Sequence, residues 1–310
     1  MKTIIFYSAL LTAISLSHNI MAQADPLYRQ NQTNIIMLNP AQAGANEFNE
    51  INILGSNSWV GFEGAPRTFA FSANFNMNKG IGLGVTGFSD ETGPVGHNNL
   101  ALNLSKHINL NSNWKLSLGL KGSVSSLNID LTSLNTTVDN DPLMQRQLSS
   151  GIRFDVGWGA LAYSKNFFVG LSQPRVIDIQ FFDVEMVDYI ESKGVIAYAG
   201  HNHKIKNKYD IRSFLMYRYI PGNPLFLDFG STVSITKNID VGAIYQLNSA
   251  VGAFFGLNIN ENLYFGYTYS YPTSKINRIS VQSHEVLLRF KFNNDLKMNR
   301  NKFVSPRFFN

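Results

Sequence analysis

The sequence predicts an all-β protein: a transmembrane, antiparallel, up-and-down β-barrel of about fourteen strands, with a short N-terminal arm and a C-terminal tail. Three observations predict it. Most of the chain alternates apolar with small or polar residues at a period of two, the spacing at which side chains share one face of a strand. The face opposite the apolar one is Gly, Ser, Asn and lone charges, where a soluble sandwich would carry long solvating side chains. The links alternate between short polar turns and mostly longer loops, the arrangement of outer-membrane barrels with their short turns in the periplasm.

Composition agrees with a lipid-facing exterior. Charged residues make up 15% of the 310, against roughly 25% in soluble domains. No run of about 18 apolar residues follows the leader, so no membrane-spanning helix is available. The net charge of +5 comes from scattered Lys and Arg, which excludes a basic track for nucleic acid.

At the N-terminus, Lys2, the apolar residues 4–16 and Ala22-Gln23-Ala24 follow the order of a signal peptide. Residues 1–22 are expected to be removed, with a cut after Ala24 the alternative, and the chain exported. With no Cys there is neither a disulfide nor a lipobox to acylate. Residues 23–50 break the alternation with Asn39-Pro40 and Gly44 and read as a periplasmic or lumenal arm, with one helical turn near Ile35. The barrel itself is assigned to residues 51–292.

Within it, Phe69, Phe71, Ala73 and Phe75 oppose Thr68, Ala70, Ser72 and Asn74; Ile81, Leu83 and Val85 oppose Gly82, Gly84 and Thr86. Further strands are expected at 99–107, 114–129, 152–163, 167–172, 195–205, 209–219, 225–235, 239–247, 251–259, 263–271 and 281–292. Short turns join them at 76–79, 109–113, 164–166, 206–208, 236–238 and 260–262. Longer loops occupy 59–64, 90–98, 130–151, 173–194, 220–224 and 272–280, with Asn248-Ser249 the exception. Residues 293–310 read as a basic periplasmic tail carrying Lys297, Arg300, Lys302 and Arg307.

Catalytic vocabulary is thin. His201 and His203 share a strand face without a third ligand at suitable spacing. Ser283, His284 and Glu285 are strand neighbours pointing to alternate faces, so they cannot form a relay. Asp139, Asp141, Asp183 and Glu185 have calcium-ligand chemistry, although acidic loops are ordinarily just solvated. No catalytic residue, metal site or cofactor is expected, and the chain reads as a non-enzyme. The inward face, by contrast, carries charges of both signs: Arg153, Asp155, Asp210, Arg212, Arg218, Asp228, Asp240, Glu285, Arg289 and Lys291. Opposite signs in a low-dielectric tube pair across strands, which implies a braced or plugged interior rather than a selectivity ring.

Several motifs in order, spanning nearly the whole mature chain, resemble the PorP/SprF family of the Bacteroidetes type IX secretion and gliding apparatus. They are Leu38-Asn39-Pro40-Ala41-Gln42-Ala43-Gly44, Trp59-Val60-Gly61-Phe62-Glu63-Gly64-Ala65-Pro66-Arg67-Thr68, Gly82-Leu83-Gly84 and Asp90-Glu91-Thr92-Gly93-Pro94. Asp141-Pro142, Gly170-Leu171-Ser172, Gly266-Tyr267-Thr268-Tyr269 and Ser283-His284-Glu285 follow. Gln42 stands where the family usually has an aromatic, and the tail beyond Phe292 extends past the usual end.

The resemblance implies an outer-membrane barrel that works with other type IX components. Its partner would be a large, adhesin-like secreted protein with a C-terminal sorting domain, which the barrel helps to export or to hold at the surface. The alternative is a general diffusion porin or small-solute transporter. The places where the chain departs from plain wall are the candidates for docking: Trp59, Gly61, Phe62, Gly64 and Pro66, with Asp90, Gly93 and Pro94 beside them. Trp59 as a member of the aromatic girdle, with Phe62 packing the loop onto the rim, is the other reading of that loop.

Overall fold

The structure, a computed structural model, describes residues 30, 33–46, 48–133, 146–182, 190–191, 193–205, 209–223, 225–273 and 282–292. The signal peptide, the tail and the four acidic residues named as calcium candidates lie outside these residues, as does Asp141-Pro142.

Fourteen wall strands are numbered here in chain order: β1 (Asn49–Asn57), β2 (Arg67–Met77), β3 (Ile81–Thr92), β4 (Val95–Asn109), β5 (Lys115–Asp130), β6 (Arg153–Tyr163), β7 (Phe167–Gln173), β8 (Val195–Ile205), β9 (Tyr209–Tyr219), β10 (Phe226–Ser234), β11 (Ile239–Gln246), β12 (Ala250–Asn258), β13 (Leu263–Pro272) and β14 (Ser283–Phe292). Each pairs antiparallel with the next, and β1 pairs with β14 from Asn49↔Phe292 to Asn57↔His284. The ring is therefore closed, and no edge runs its full length unpaired, as lipid requires. An even number of strands brings both ends of the wall to the short-turn side.

Alternation places the side chains as the pattern demands. On β2, Ala70, Ser72 and Asn74 are buried inward, while Phe69 is exposed on the outside. On β5, Ser117 is buried and Leu118 is 49% exposed. Leu118→Arg should therefore cost about 2–4 kcal/mol if the site lies near the bilayer midplane; denaturant titration of the variant in bilayers measures it.

Two expectations are corrected. Residues 90–98 are not a long loop: β3 runs to Thr92 and β4 starts at Val95, in register from Thr92↔Val95 downward, leaving Gly93-Pro94 as the turn. Asp90 is therefore a strand residue, accepting a hydrogen bond from Thr68 Oγ1 at 2.5 Å. Hairpin pairing beyond the membrane is invisible to a reading that stops each strand where its apolar face ends. Second, the inward face is not polar throughout. Leu161, Tyr163, Phe168, Tyr198, Phe214 and Met216 are buried inside together with Ile35, Leu38, Ala41 and Ala45 of the arm.

Candidate functional site

The interior is occupied by the protein's own arm. Ile35–Met37 and Pro40–Gln42 form two 3-10 turns, the second opened by Asn39, whose Oδ1 accepts the Ala41 N–H at 2.8 Å. Pro40 suits the first position of such a turn, where its missing N–H would have no partner. From Asn34 to Asn46 every residue but Met37 is buried. Turns this short leave carbonyls without partners, and the wall supplies donors. Ser172 Oγ donates to Leu38 O (2.8 Å), Ser117 Oγ to Ala41 O (2.7 Å) and Ser105 Oγ to Ala43 O (2.6 Å). His107 Nε2 reaches Ala43 O at 2.8 Å, so it carries the proton, and Nδ1 accepts from Tyr163 OH at 2.9 Å. Asn39 Nδ2 meets Tyr198 OH (2.9 Å) and Ala160 O (3.1 Å), and the Gly44 N–H donates to Asn74 Oδ1 (2.6 Å).

Glycines in the wall make room for this segment. A Cβ on Gly82 would overlap Ala43 O, one on Gly159 would overlap Asn39 Oδ1, and one on Gly119 would lie 2.6 Å from Ala41 Cα. The small face of these strands is the imprint of the arm. Gln42, buried, faces Asn46 Oδ1 at 3.5 Å, a polar contact in place of an aromatic ring.

Several of the inward charges form two braces and an outer latch, while Asp210 pairs with Lys204 at 3.5 Å. Arg212 pairs with Asp240 at 2.6 Å, and Asp240 also accepts from Ser234 Oγ and Tyr264 OH. Arg289 lies 3.4 Å from Glu50, donates to Asn52 Oδ1 at 2.9 Å and reaches Thr33 O, so it ties wall to arm. Glu285 Oε1 accepts the Gln30 N–H at 2.6 Å. Near the long-loop end Asp155 pairs with Arg175 (3.2 Å), while Arg153, solvent-exposed at the rim, donates to Phe181 O (3.2 Å). These two contacts hold residues 174–182 inward, where Phe181 and Phe182 pack on Leu127 and Ile129. At the base of this segment Lys193 N–H donates to Asp178 and holds its carboxyl below the usual range. Glu50 and Arg175 had no signal in the alternation: Glu50 was counted with the arm, and Arg175 follows a proline in a loop.

At the long-loop end, residues 58–66 are clamped on both sides. Trp59 N–H donates to Ser283 Oγ (3.2 Å) and Val60 N–H to Gln282 O (2.9 Å); across the loop, Gly93 N–H donates to Gly64 O (2.9 Å). A Cβ on Gly64, at φ +73°, would lie 3.1 Å from Gly93 Cα, so the two glycines permit the close approach. Phe62 N–H and Ala65 N–H close internal turns, and Ser58 N–H bonds Pro66 O (2.9 Å). Within this clamp Trp59 is half-buried at φ +53°, Gly61 is exposed and Phe62 is 50% exposed. Gly93 and Pro94 sit against it; Asp90 lies below, in the wall.

Comparison with known families decides the identity. The family model for the type IX secretion system membrane protein PorP/SprF matches residues 20–290. The chain belongs to the PorP/SprF family. This PorP/SprF protein is an outer-membrane β-barrel, and its family is one of secretion membrane proteins. No curated protein matches it. Among solved structures it is similar to the CymD monoaromatic hydrocarbon channel (TM-score 0.49, 13% identity, covering 90% of this chain and 97% of that one). It is also similar to the Pseudomonas putida toluene transporter TodX (TM-score 0.48, 11% identity, 84% and 93%) and to the KdgM porin (TM-score 0.39, 10% identity, 79% and 99%).

Proposed function

We propose that this PorP/SprF barrel is a non-enzymatic docking component of type IX secretion, which helps export or anchor a cognate, adhesin-like secreted protein through that protein's C-terminal sorting domain. The observation that carries the proposal is the clamped loop of residues 58–66 at the rim of a barrel whose interior is taken up by its own arm. A filled interior favours surface recognition over conduction. A loop fixed by backbone hydrogen bonds to two neighbouring connections loses little freedom on binding. Its half-exposed Phe62 and half-buried Trp59 are side chains of the kind that anchor partner interfaces, and an apolar surface held open to water is costly until covered.

Replacing Trp59 and Phe62 together with Ala should lower surface display or secretion of one cognate protein roughly tenfold or more, with barrel assembly and export of other cargo intact. Surface labelling of that cargo in a strain carrying the double variant measures this. Wild-type display from a normally assembled double variant refutes docking at this loop and leaves Trp59 as a girdle residue. The porin alternative has its own outcome: a large single-channel conductance from the purified protein in planar bilayers.

A further inference from the structure

The wall has a step. β6 is the lower part of a longer strand: residues Gln147–Ser149 pair with the same edge of β5, from Asn128↔Ser149 to Asp130↔Gln147, and Arg153–Tyr163 continue that pairing from Ser125↔Arg153. Between them three residues, Ser150 to Ile152, oppose the two residues Ser126 and Leu127 of β5, a bulge with Gly151 at φ +65°. On its other edge β6 meets β7 only from Trp158↔Gln173 to Tyr163↔Phe168, because Pro174 ends β7 and the chain turns into the lumen. From Gln147 to Gly157 that second edge has no wall strand among the described residues.

The local hydrogen bonds bear the mark of a missing neighbour. Val156 O accepts from Val176 N–H at 3.0 Å, so the backbone groups of Val156, and by alternation those of Phe154, point toward the open edge. Val156 N–H, which a wall strand would take up, turns instead to the Asp155 carboxylate at 2.7 Å. On the outside, Phe154 is 76% exposed and Ile152 67%. Phe154 is the most exposed large apolar side chain among the described residues, above Leu120, which has strands on both sides and reaches 67%. Hydrocarbon cannot satisfy strand-edge N–H and C=O groups, and a chain that leaves them open beside an apolar face leaves them for another strand.

We propose that the outer edge of β6, around Phe154, receives an added β-strand from a different polypeptide, whose outward side chains are apolar and continue the lipid-facing surface. A second copy of this chain does not fit. Antiparallel pairing of two β6 edges would turn one barrel upside down in the membrane. Parallel pairing about an axis along the membrane normal sets identical residues side by side without the stagger that parallel hydrogen bonding needs. Strand addition takes its affinity from main-chain bonds and its specificity from alternate side chains, here those meeting Ile152 and Phe154. This surface is separate from the loop at residues 58–66, and its test is read without reference to that loop.

The test uses the full-length protein in cells with a photo-reactive phenylalanine at position 152. The expected product joins it to an extended, alternating segment of another protein, identified by sequencing the joined peptides. In that background Phe154→Pro, which removes the edge N–H, should lower the yield about fivefold or more, while Phe154→Leu leaves it unchanged. Both variants should stay in their folded, heat-modifiable form. Cross-links confined to lipid, or to residues 183–189 of the same chain, overturn the proposal, as does equal yield from the Pro and Leu variants. If Phe154→Pro does not assemble, the mapped segment decides alone: a helical or loop segment, or a second copy of this chain, refutes strand addition.

Discussion

Gly119→Arg is expected to abolish the folded, heat-modifiable barrel, whereas Leu118→Arg, one residue away, only weakens it. Plain barrel logic gives the opposite order, since a lumen normally tolerates what lipid rejects. The reversal follows from the arm. A Cβ at position 119 falls 2.6 Å from Ala41 Cα and closer still to the Ala41 nitrogen and the Pro40 carbonyl carbon. These are backbone atoms, fixed on either side by the hydrogen bonds from Ser172 to Leu38 O and from Ser117 to Ala41 O, so they cannot swing away as a side chain would. Overfilling a packed interior costs about 1–3 kcal/mol for a few methylenes, and Arg adds a charge with no partner to a molecule whose whole stability is about 5–15 kcal/mol. Gly119→Ala isolates the steric part, and Gly122→Ala is its control, because a Cβ there meets nothing within 4 Å. In denaturant titrations Gly119→Ala should lose stability and Gly122→Ala should not. Protease should reach the arm in the first variant alone. Equal behaviour of the two would mean that the arm does not sit on Gly119.

The same comparison marks what the sequence carries and what it withholds. Wall strands are legible because lipid and lumen impose opposite demands on alternate residues, so Phe69 and Ala70 or Leu118 and Gly119 separate at a glance. The glycines were equally visible as a small inward face. Their cause was not, because it lies in Pro40 and Ala43, far away in the chain and without periodicity. The buried Tyr163, Tyr198 and Phe214 are missed for the same reason: they face inward, where alternation alone expects polar residues, and they are apolar because Ile35 and Leu38 lie against them. At the rim, Trp59, Phe62 and Gly93 stand out in sequence as glycine- and proline-framed aromatics, but the bond from Gly93 N–H to Gly64 O that makes one surface of two connections appears only in three dimensions. Asp90 was misplaced with them because a polar strand above the membrane looks like a loop.

Arg289→Met is expected to destabilise the barrel by about 3–5 kcal/mol, and Glu50→Gln in the same chain should return a large part of that loss. Arg289 and Glu50 stand on adjacent wall strands, β14 and β1, both almost fully buried, with 3.4 Å between Nε and the carboxylate. Taking away the guanidinium leaves a buried carboxylate with amide contacts, among them Asn46 Nδ2 at 2.7 Å and Asn74 Nδ2 at 3.5 Å, and with Lys291 opposite it on β14 as the remaining nearby positive charge. It also frees Asn52 Oδ1 and Thr33 O, so the start of the arm is released from the wall as the ring loses a brace at its closing seam. Gln at position 50 keeps the two amide contacts without the charge, and the recovery it brings therefore measures the charge alone. What remains lost after the second substitution is the hold on Asn52 and Thr33. Denaturant titration of the four chains in a double-mutant cycle separates the two, and a double variant no more stable than Arg289→Met would show that Glu50 carries no charge once Arg289 is gone.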